Sequence, residues 1–190
     1  MRTFLASELG DHATTAVDDV GRSLRSVLGA RGWEISWTAR EKIHLTLKFL
    51  GNVAPTRRAE IVDAVEPVCR ERKPIPIGVR GVGAFPPRGA PRVIWVGLSD
   101  PAGAVEELAA QIERRLATVG FPAEERPFHA HVTIGRVRRP GGGRLDDVIH
   151  DLGAADCGEA TIDSVLLFRS DLKAGTYEVL QRMRLRGEST

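Results

Sequence analysis

The sequence lacks several features that would assign it to a specialised class of protein. Only two cysteines occur among its 190 residues, and they lie too far apart to form a Cys-x-x-Cys pair. A disulfide between Cys69 and Cys157 stays open as an alternative, but two separate buried thiols in a reducing cytosol are the favoured interpretation. No apolar run approaches the roughly 20 residues of a membrane span, and residues 1–7 turn polar too soon for a secretory signal. We therefore expect a cytoplasmic protein that does not enter a membrane.

A strong excess of charge is also missing. The net charge of +2 at pH 7 is too small to indicate nucleic-acid binding by itself. Apolar residues make up 42% and charged residues 27% of the chain, as in ordinary soluble globular proteins. The length is sufficient for one good core, or for two small lobes that share one.

The apolar pattern predicts strands and helices that are intermixed along the chain. Strands are predicted over residues 2–8, 33–37, 43–50, 75–85, 92–98, 128–137, 161–168 and 176–185. Helices are predicted over residues 11–28 and 145–152, from near Pro55 to a kink or end at Pro67, and after Ser99-Asp100-Pro101. The strands arrive in pairs that can form antiparallel sheets, which favours an α+β fold with helices on one face of each sheet. Residues 1–190 are thus predicted to form a single domain of two interleaved lobes, whose open faces meet in a cleft.

One four-residue pattern occurs twice, as His44-Leu45-Thr46-Leu47 and as His131-Val132-Thr133-Ile134. In each copy a histidine and a threonine stand two residues apart, between apolar residues that favour strands. An extended strand directs both polar side chains to one face and both apolar ones to the other. Two such strands predict a pair of imidazoles held for acid–base chemistry. His12-Ala13-Thr14 has the same spacing, but it lies at the predicted polar start of a helix, with Asp11 as its N-cap.

The wider sequence around these motifs resembles a known family. The segments that carry the resemblance are His44-Leu45-Thr46-Leu47-Lys48-Phe49-Leu50-Gly51 and Phe128-His129-Ala130-His131-Val132-Thr133-Ile134-Gly135-Arg136. They resemble the 2H phosphoesterase superfamily, and within it the bacterial and archaeal RNA 2′,3′-cyclic phosphodiesterases, once called 2′-5′ RNA ligases. Residues 2–8 and 85–97 are also similar to this family, so nearly the whole chain is covered. Ala130 stands where the family usually has a proline, which reduces the stiffness of the backbone there.

The resemblance implies a fold and a reaction. The fold is bilobal, with two antiparallel sheets facing a central cleft, helices packed outside and pseudo-twofold symmetry. The reaction is the hydrolysis of a terminal RNA 2′,3′-cyclic phosphate to a 2′-phosphomonoester, without a metal or another cofactor. The implied partners are RNA ends that carry such a phosphate, or related nucleotides, and the implied state is a monomer.

Two histidines suit this reaction because it needs a base for water and an acid for the departing ribose oxygen. Imidazole, with a pKa of about 6.5, serves either role near neutral pH, so a pair predicts a bell-shaped pH–rate curve. The residues alone do not order the roles; the resemblance assigns His44 as the acid on the 3′ oxygen and His131 as the base. Thr46 and Thr133 are expected to donate to the non-bridging phosphate oxygens. The alternative is a pair of structural imidazoles bound to the threonines.

Phe49 and Arg136 each lie five residues after a motif histidine. The resemblance implies that the ring and the guanidinium stack on the two faces of the nucleotide base. Strict alternation would put both on the side opposite the histidines, so this role requires that the strands end or bulge first. Otherwise both residues are structural. Lys48 shares the alternation of His44, which places it at the cleft rim or on the surface.

Two further groups leave alternatives open. His129 stands two residues before His131, so both histidines can face the cleft and chelate a metal; no carboxylate stands at ligand spacing, and no metal site is predicted. Four arginines near the glycine-rich loop form a basic patch, which is either a solvated loop or a track for phosphates. They are Arg136, Arg138, Arg139 and Arg144.

Several functions are compatible with the two motifs. The favoured one is a metal-independent RNA 2′,3′-cyclic phosphodiesterase. Joining of RNA ends through a 2′-5′ bond would use the same site, and cyclic phosphates on small nucleotides would need the same residues. A non-catalytic RNA-end-binding module is disfavoured, because binding alone requires no acid–base pair. A metal-dependent phosphodiesterase would lose its activity to a chelator.

Overall fold

The computed structural model describes residues 1–152, 155–171 and 173–187, which form nine strands and four α-helices. The strands are β1 (Arg2–Ser7), β2 (Glu34–Trp37), β3 (Leu45–Asn52), β4 (Ile75–Phe85), β5 (Val93–Ser99), β6 (His131–Arg139), β7 (Asp156–Ile162), β8 (Ser164–Asp171) and β9 (Thr176–Arg184). The helices are α1 (Asp11–Ala30), α2 (Arg58–Arg70), α3 (Ala104–Thr118) and α4 (Leu145–Leu152). The mixture of helices and strands agrees with the predicted α+β class.

All the strands belong to one antiparallel sheet in the order β7-β4-β5-β6-β3-β1-β8-β9, with β2 paired to β6. The two motif strands, β3 and β6, lie next to each other near the middle of this order. They are joined through a single residue pair, Leu45 with Val132. Farther along β6, strand β2 pairs with it from Gly135 onwards. The motif strands therefore meet only where the two motifs cross.

The helices cover the sheet in two pairs. Helices α1 and α4 contact each other, and they pack on β7 and β4, respectively. Helices α2 and α3 also contact each other, and they pack on β9 and β3. Each helix turns an apolar stripe to the sheet, as in α3, where Val105, Leu108, Ile112 and Leu116 are fully buried. The main core lies between these stripes and the sheet.

A second, smaller apolar cluster lies on the other face of β1 and β8. Its members are Phe4, Ala6, Leu166 and Phe168. They alternate along the strands with Leu5 and Leu167, which belong to the main core, as the two-residue period of a strand requires. These strands are therefore apolar on both faces, and the smaller cluster forms the floor beneath the first motif histidine.

Three local predictions were wrong in detail. The predicted strand over residues 161–168 is two strands that break at Asp163, and β7 was missed because its Gly158 and Glu159 do not favour strands. Helix α2 continues past Pro67 to Arg70, since the proline lies in its last turn. Helix α1 begins at Asp11 itself, after Gly10 at the N-cap.

Both cysteines are free and buried, as predicted. Burial raises the pKa of the Cys69 thiol to about 12, which keeps it protonated and unreactive. Among the described helices, none is long and apolar enough to cross a membrane.

Candidate active site

The two motifs meet at the single pair that joins β3 to β6. Leu45 and Val132, the second residues of the motifs, form this pair and are fully buried. In an antiparallel ladder the neighbours of a pair oppose each other in reverse order. This register brings Thr46 opposite His131 and Thr133 opposite His44. Four polar side chains from two distant segments are thus gathered around one crossing point.

The backbone holds both imidazoles in the same way. Nδ1 of His44 lies 2.7 Å from the carbonyl oxygen of Lys42, and Nδ1 of His131 lies 2.7 Å from that of His129. A carbonyl only accepts, so Nδ1 carries the proton and donates it in both rings. In the neutral ring this leaves Nε2 as the atom with a free lone pair. Each motif therefore presents the same nitrogen for proton transfer.

The two Nε2 atoms differ in their contacts. Nε2 of His44 lies 3.0 Å from Oγ1 of Thr46, which donates to the neutral ring and accepts from the protonated one. Within the part of the chain that the structure describes, Nε2 of His131 and the hydroxyl of Thr133 have no hydrogen-bond partner. The second motif is thus the more open of the two.

Aromatic rings surround His44. Its ring stacks on Phe4 at 5.1 Å between centroids, meets Tyr177 edge-on at 5.6 Å and lies 6.1 Å from Phe168. Burial among these rings lowers the pKa of His44, and the nearby charge of His131 lowers it further. The alternation along β1, which brings Phe4 to this face, is a sequence signal for this surrounding that the predictions did not use.

His131 has a more polar surrounding. Its ring meets Phe85 edge-on at 5.1 Å and lies 6.3 Å from Trp95. The ring of His129 is 6.1 Å away. Burial is the main cause that lowers the pKa of His131, and electrostatic interaction with His129 and Arg136 lowers it further. Burial and these neighbours thus both favour the neutral form of this ring.

A bulge in each motif strand decides which way the later residues point. Leu47 on β3 and Ile134 on β6, the fourth residues of the motifs, have no partner across from them in the pairing with β1 and β5. An extra residue of this kind reverses the alternation of faces beyond it. Phe49 and Arg136 are consequently exposed on the same side as the motif histidines.

Base stacking by Phe49 and Arg136 requires that both side chains lie on the histidine side of the sheet, and the bulges place them there. Phe49 is 51% exposed and lies 6.1 Å from Phe4, the ring on which His44 stacks. Arg136 is close enough to His131 to lower its pKa. Among the described residues no cation–π contact joins Phe49 to Arg136, so a sandwich of the base between them stays a prediction.

The expected place of Lys48, at the cleft rim or on the surface, was wrong. The bulge directs this side chain to the opposite face, where the residue is only 3% exposed. Its Nζ donates to Oε1 of Glu113 at 2.7 Å and to the carbonyl of Pro122 at 2.9 Å. The lysine thus ties β3 to α3 and to the loop that leads to the second motif.

The other cationic residues are placed less centrally. No group of three side chains suitable for a metal ion occurs among the described residues, and His129 is exposed, edge-on to Phe85 at 5.3 Å. In the basic patch, Arg138 donates to Ser36, Arg139 pairs with Glu34, and Arg144 pairs with Asp146. The carboxylates neutralise part of the charge that the sequence suggested for a phosphate track.

Comparisons with known proteins place this chain in a family. The family model for the 2′-5′ RNA ligase superfamily matches residues 17–174. An Aeropyrum pernix protein named RNA 2′,3′-cyclic phosphodiesterase is 34% identical, over 80% of this chain and 88% of its own. One of the same name from Archaeoglobus fulgidus is 32% identical, over 90% and 92%. The structural match to the crystal structure of TT0787 from Thermus thermophilus covers 100% of both chains, with a TM-score of 0.82 and 27% sequence identity. The chain therefore belongs to the 2′-5′ RNA ligase superfamily, as the resemblance of its longer segments to that family predicted.

Proposed function

We propose that this protein hydrolyses the 2′,3′-cyclic phosphate at the end of an RNA to a 2′-phosphomonoester, without a metal. The observation that carries the proposal is the pair of imidazoles at the β3–β6 crossing, each with its Nδ1 proton bound by a backbone carbonyl. This arrangement leaves two Nε2 atoms for proton transfer on either side of one phosphate. The names of the relatives from Aeropyrum and Archaeoglobus support the same reaction.

The proposed step uses one histidine for each proton. Nε2 of His131 takes a proton from water, and the water oxygen forms a bond to phosphorus. The bond from phosphorus to the 3′ oxygen breaks, and protonated Nε2 of His44 gives its proton to the departing oxygen. The phosphate stays on the 2′ oxygen. Because each Nδ1 is occupied, both rings use the same atom.

The charges around the two rings support this division of roles. A base must be neutral, and the pKa of His131 is lowered by burial and then by His129 and Arg136. The acid must be protonated, although burial lowers the pKa of His44 in the free protein. A bound phosphate anion opposes this effect, since a negative charge a few ångströms away favours the imidazolium. We therefore expect the acid to form when the substrate binds.

The neighbouring polar groups complete the site in this proposal. The hydroxyls of Thr46 and Thr133 donate to the non-bridging oxygens of the phosphate as negative charge builds on them. Thr46 gives up its bond to His44 to do so, whereas the Thr133 hydroxyl has no partner to lose among the described residues. Phe49 and Arg136, on the same side of the sheet, take the base of the terminal nucleotide by stacking.

The topology supports two interleaved lobes within one domain. Strand β3 continues into β1, β8 and β9, and β6 continues into β5, β4 and β7, which makes four strands of the main order on each side of the crossing, with the short β2 added on β6. Helix α1 follows β1 but packs on β7, while α3 follows β5 but packs on β3. This exchange is what a pseudo-twofold axis through the crossing would produce. The lobes face a central cleft, and the protein acts as a monomer in the cytoplasm.

The test is the product of a defined reaction. An RNA oligonucleotide ending in a 2′,3′-cyclic phosphate is incubated with excess chelator and with wild type, His44→Ala or His131→Ala. A 2′-phosphate from wild type alone is the expected result. A 3′-phosphate would mean that the 2′ oxygen leaves instead of the 3′ oxygen. Activity that the chelator abolishes would contradict the metal-free mechanism. No hydrolysis by wild type would contradict the proposed function.

The description of the matching family favours one second candidate, the joining of RNA ends through a 2′-5′ bond. It is the same ring opening at the same two histidines, with a 5′ hydroxyl attacking phosphorus in place of water while the bond to the 3′ oxygen breaks. The same assay detects it when an RNA with a free 5′ hydroxyl is added, because joining gives a longer RNA. We expect hydrolysis to dominate, since water is in large excess.

A further inference from the structure

A second exposed aromatic ring lies beside the first motif histidine, and the proposed reaction does not use it. Tyr177, on the edge strand β9, is 39% exposed. Its ring nevertheless contacts Phe4 at 5.0 Å, His44 at 5.6 Å and Phe168 at 6.2 Å between centroids. Its inner side is therefore held in place by three rings, while much of the ring stays open to solvent.

A cation accompanies this ring. Nζ of Lys42 lies 5.8 Å from the centroid of Tyr177. This Nζ also lies next to the turn before β9. A Cβ atom added to Gly175 in that turn would be 3.8 Å from it. No carboxylate pairs with Lys42 among the described residues. The backbone carbonyl of the same residue binds His44, so the cation and the acid of the proposed reaction are anchored together.

Two exposed rings thus border the same buried ring. Phe49 and Tyr177 both contact Phe4, and Phe49 is already assigned to the terminal base. An exposed ring with an unneutralised ammonium group beside it suits a nucleotide, because the ring stacks on any base and the ammonium attracts a phosphate. A cyclic mononucleotide has one base and one phosphate, and it would leave this second pair of groups unused.

We propose that Tyr177 and Lys42 form a second nucleotide subsite, which binds the nucleotide that precedes the cyclic-phosphate end. The base of that nucleotide stacks on Tyr177, and Lys42 lies near the phosphate that links it to the terminal nucleotide. The inference rests on the proposed function and deepens it. The substrate class is an RNA strand of at least two nucleotides, and cyclic mononucleotides are poorer substrates.

The experiment compares two substrates in each variant. Values of kcat/KM are measured for a dinucleotide ending in a 2′,3′-cyclic phosphate and for 2′,3′-cyclic AMP. We expect wild type to prefer the dinucleotide and Tyr177→Ala to lower this preference about tenfold, the usual effect of losing one stacked base. Tyr177→Phe keeps the ring and the preference. Lys42→Gln lowers the preference and weakens its dependence on salt, because one phosphate contact is lost.

The controls separate the subsite from effects on folding and on His44. Val27→Ala shortens an exposed apolar side chain on α1, and Lys73→Gln removes a cation next to Gly187; neither should change the preference. An equal loss on both substrates in Tyr177→Ala would mean that the ring acts only through His44, and it would overturn the subsite. Equal use of both substrates by wild type would also overturn it, while leaving the proposed hydrolysis intact.

A binding measurement keeps the inference testable if the proposed reaction itself fails. The probes are a dinucleotide with a terminal 2′-phosphate and the corresponding mononucleotide 2′-phosphate, titrated calorimetrically into the whole protein. Tighter binding of the dinucleotide in wild type, lost in Tyr177→Ala and kept in Tyr177→Phe, supports the subsite whether or not hydrolysis occurs. Equal affinities in all three proteins would reject it.

Discussion

The two histidine motifs share a local geometry but have different surroundings. In both, a carbonyl two residues earlier binds Nδ1 of the histidine. His44 is then enclosed by aromatic rings, so burial is the chief cause of its lowered pKa. For His131 burial is again the main cause, but electrostatic interaction with His129 and Arg136 also lowers the pKa. The motif thus determines which nitrogen is available, and the surroundings determine how readily that nitrogen takes a proton.

The motif strands differ again just past their bulges. At this position β3 has Lys48, whose ammonium group is buried against Glu113. On β6 the equivalent residue is Gly135, where a Cβ atom would lie 2.8 Å from Cγ2 of Ile35 and 3.2 Å from Cε3 of Trp37. One strand is packed against a helix through an ion pair, and the other lies so close to β2 that it has no room for a side chain.

The largest effect is expected from removing either imidazole. His44→Ala and His131→Ala should each lower kcat/KM for RNA 2′,3′-cyclic phosphate by about 10³-fold, within the range for general acid–base groups. The two variants should differ in pH dependence. His44→Ala loses the fall in rate at high pH that an acid causes, and His131→Ala loses the fall at low pH. Loss of the same limb in both variants would contradict separate roles.

A smaller effect is expected on stability, and it should differ between Lys48 and Gly135, the residues directly past the two bulges. Lys48→Ala leaves the partly buried carboxylate of Glu113 without its cation, and we expect a loss of about 3 kcal/mol in the free energy of unfolding. Gly135→Ala forces a methyl group against Ile35 and Trp37, at a cost of about 1–2 kcal/mol. Urea denaturation measures both, with the exposed ion pair of Arg139 and Glu34 as a control.

That control has a clear expectation. Removing the exposed pair by Arg139→Gln should change stability by less than about 0.5 kcal/mol. Adding Glu113→Gln to Lys48→Ala should restore part of the loss, because the uncompensated charge is then gone. A loss in Lys48→Ala no larger than that in the control variant would show that the buried pair does not hold β3 against α3.

The next comparison concerns the threonines. Thr46→Val and Thr133→Val should each lower kcat by about 10- to 100-fold, since in the proposed mechanism each removes a hydroxyl that donates to the phosphate. Of the two motif threonines, Thr46 is the one that contacts a histidine Nε2 within the described residues, at 3.0 Å. Thr46→Val should therefore also move the high-pH limb of the rate profile, whereas Thr133→Val should leave the profile in place. Equal movement of the profile in both would contradict the asymmetry of the two motifs.

The residues near the motifs show which structural features the sequence predicts and which it does not. The spacing of His44 and Thr46 was enough to predict their shared face, because alternation is a local property of a strand. The bulge at Leu47 was not predictable, since it depends on the register with β1, and register is set by the whole sheet. Lys48 and Phe49, the two residues directly beyond it, were both affected. Phe49 met the condition for base binding, and the expected exposure of Lys48 was wrong for the same reason.

The smallest expected effect is the dependence of stability on pH. Burial lowers the pKa of His44 and of His131 in the folded protein, below the value of about 6.5 in an unfolded chain. At pH 8 the rings are neutral in both states. As the pH falls through about 6.5, the unfolded chain takes up protons that the folded protein does not, so the free energy of unfolding decreases. Each ring contributes at most about 1.4 kcal/mol per pH unit, which urea titrations between pH 8 and 5.5 resolve.

Single replacements of the two histidines then show how much each ring contributes to this dependence of stability on pH. His44→Gln leaves only the His131 ring, with His129 and Arg136 beside it, and His131→Gln leaves only the enclosed His44 ring. Salt screens charges but not burial, so 0.5 M NaCl should flatten the slope more in His44→Gln than in His131→Gln. Lowered carboxylate pKa values, as at Glu60, act only at more acidic pH and do not interfere. If the free energy of unfolding of wild type stays constant or increases as the pH falls from 7 to 5.5, the burial of both rings is contradicted. If salt has the same effect on the slope in both variants, charge and burial do not distinguish the two motifs.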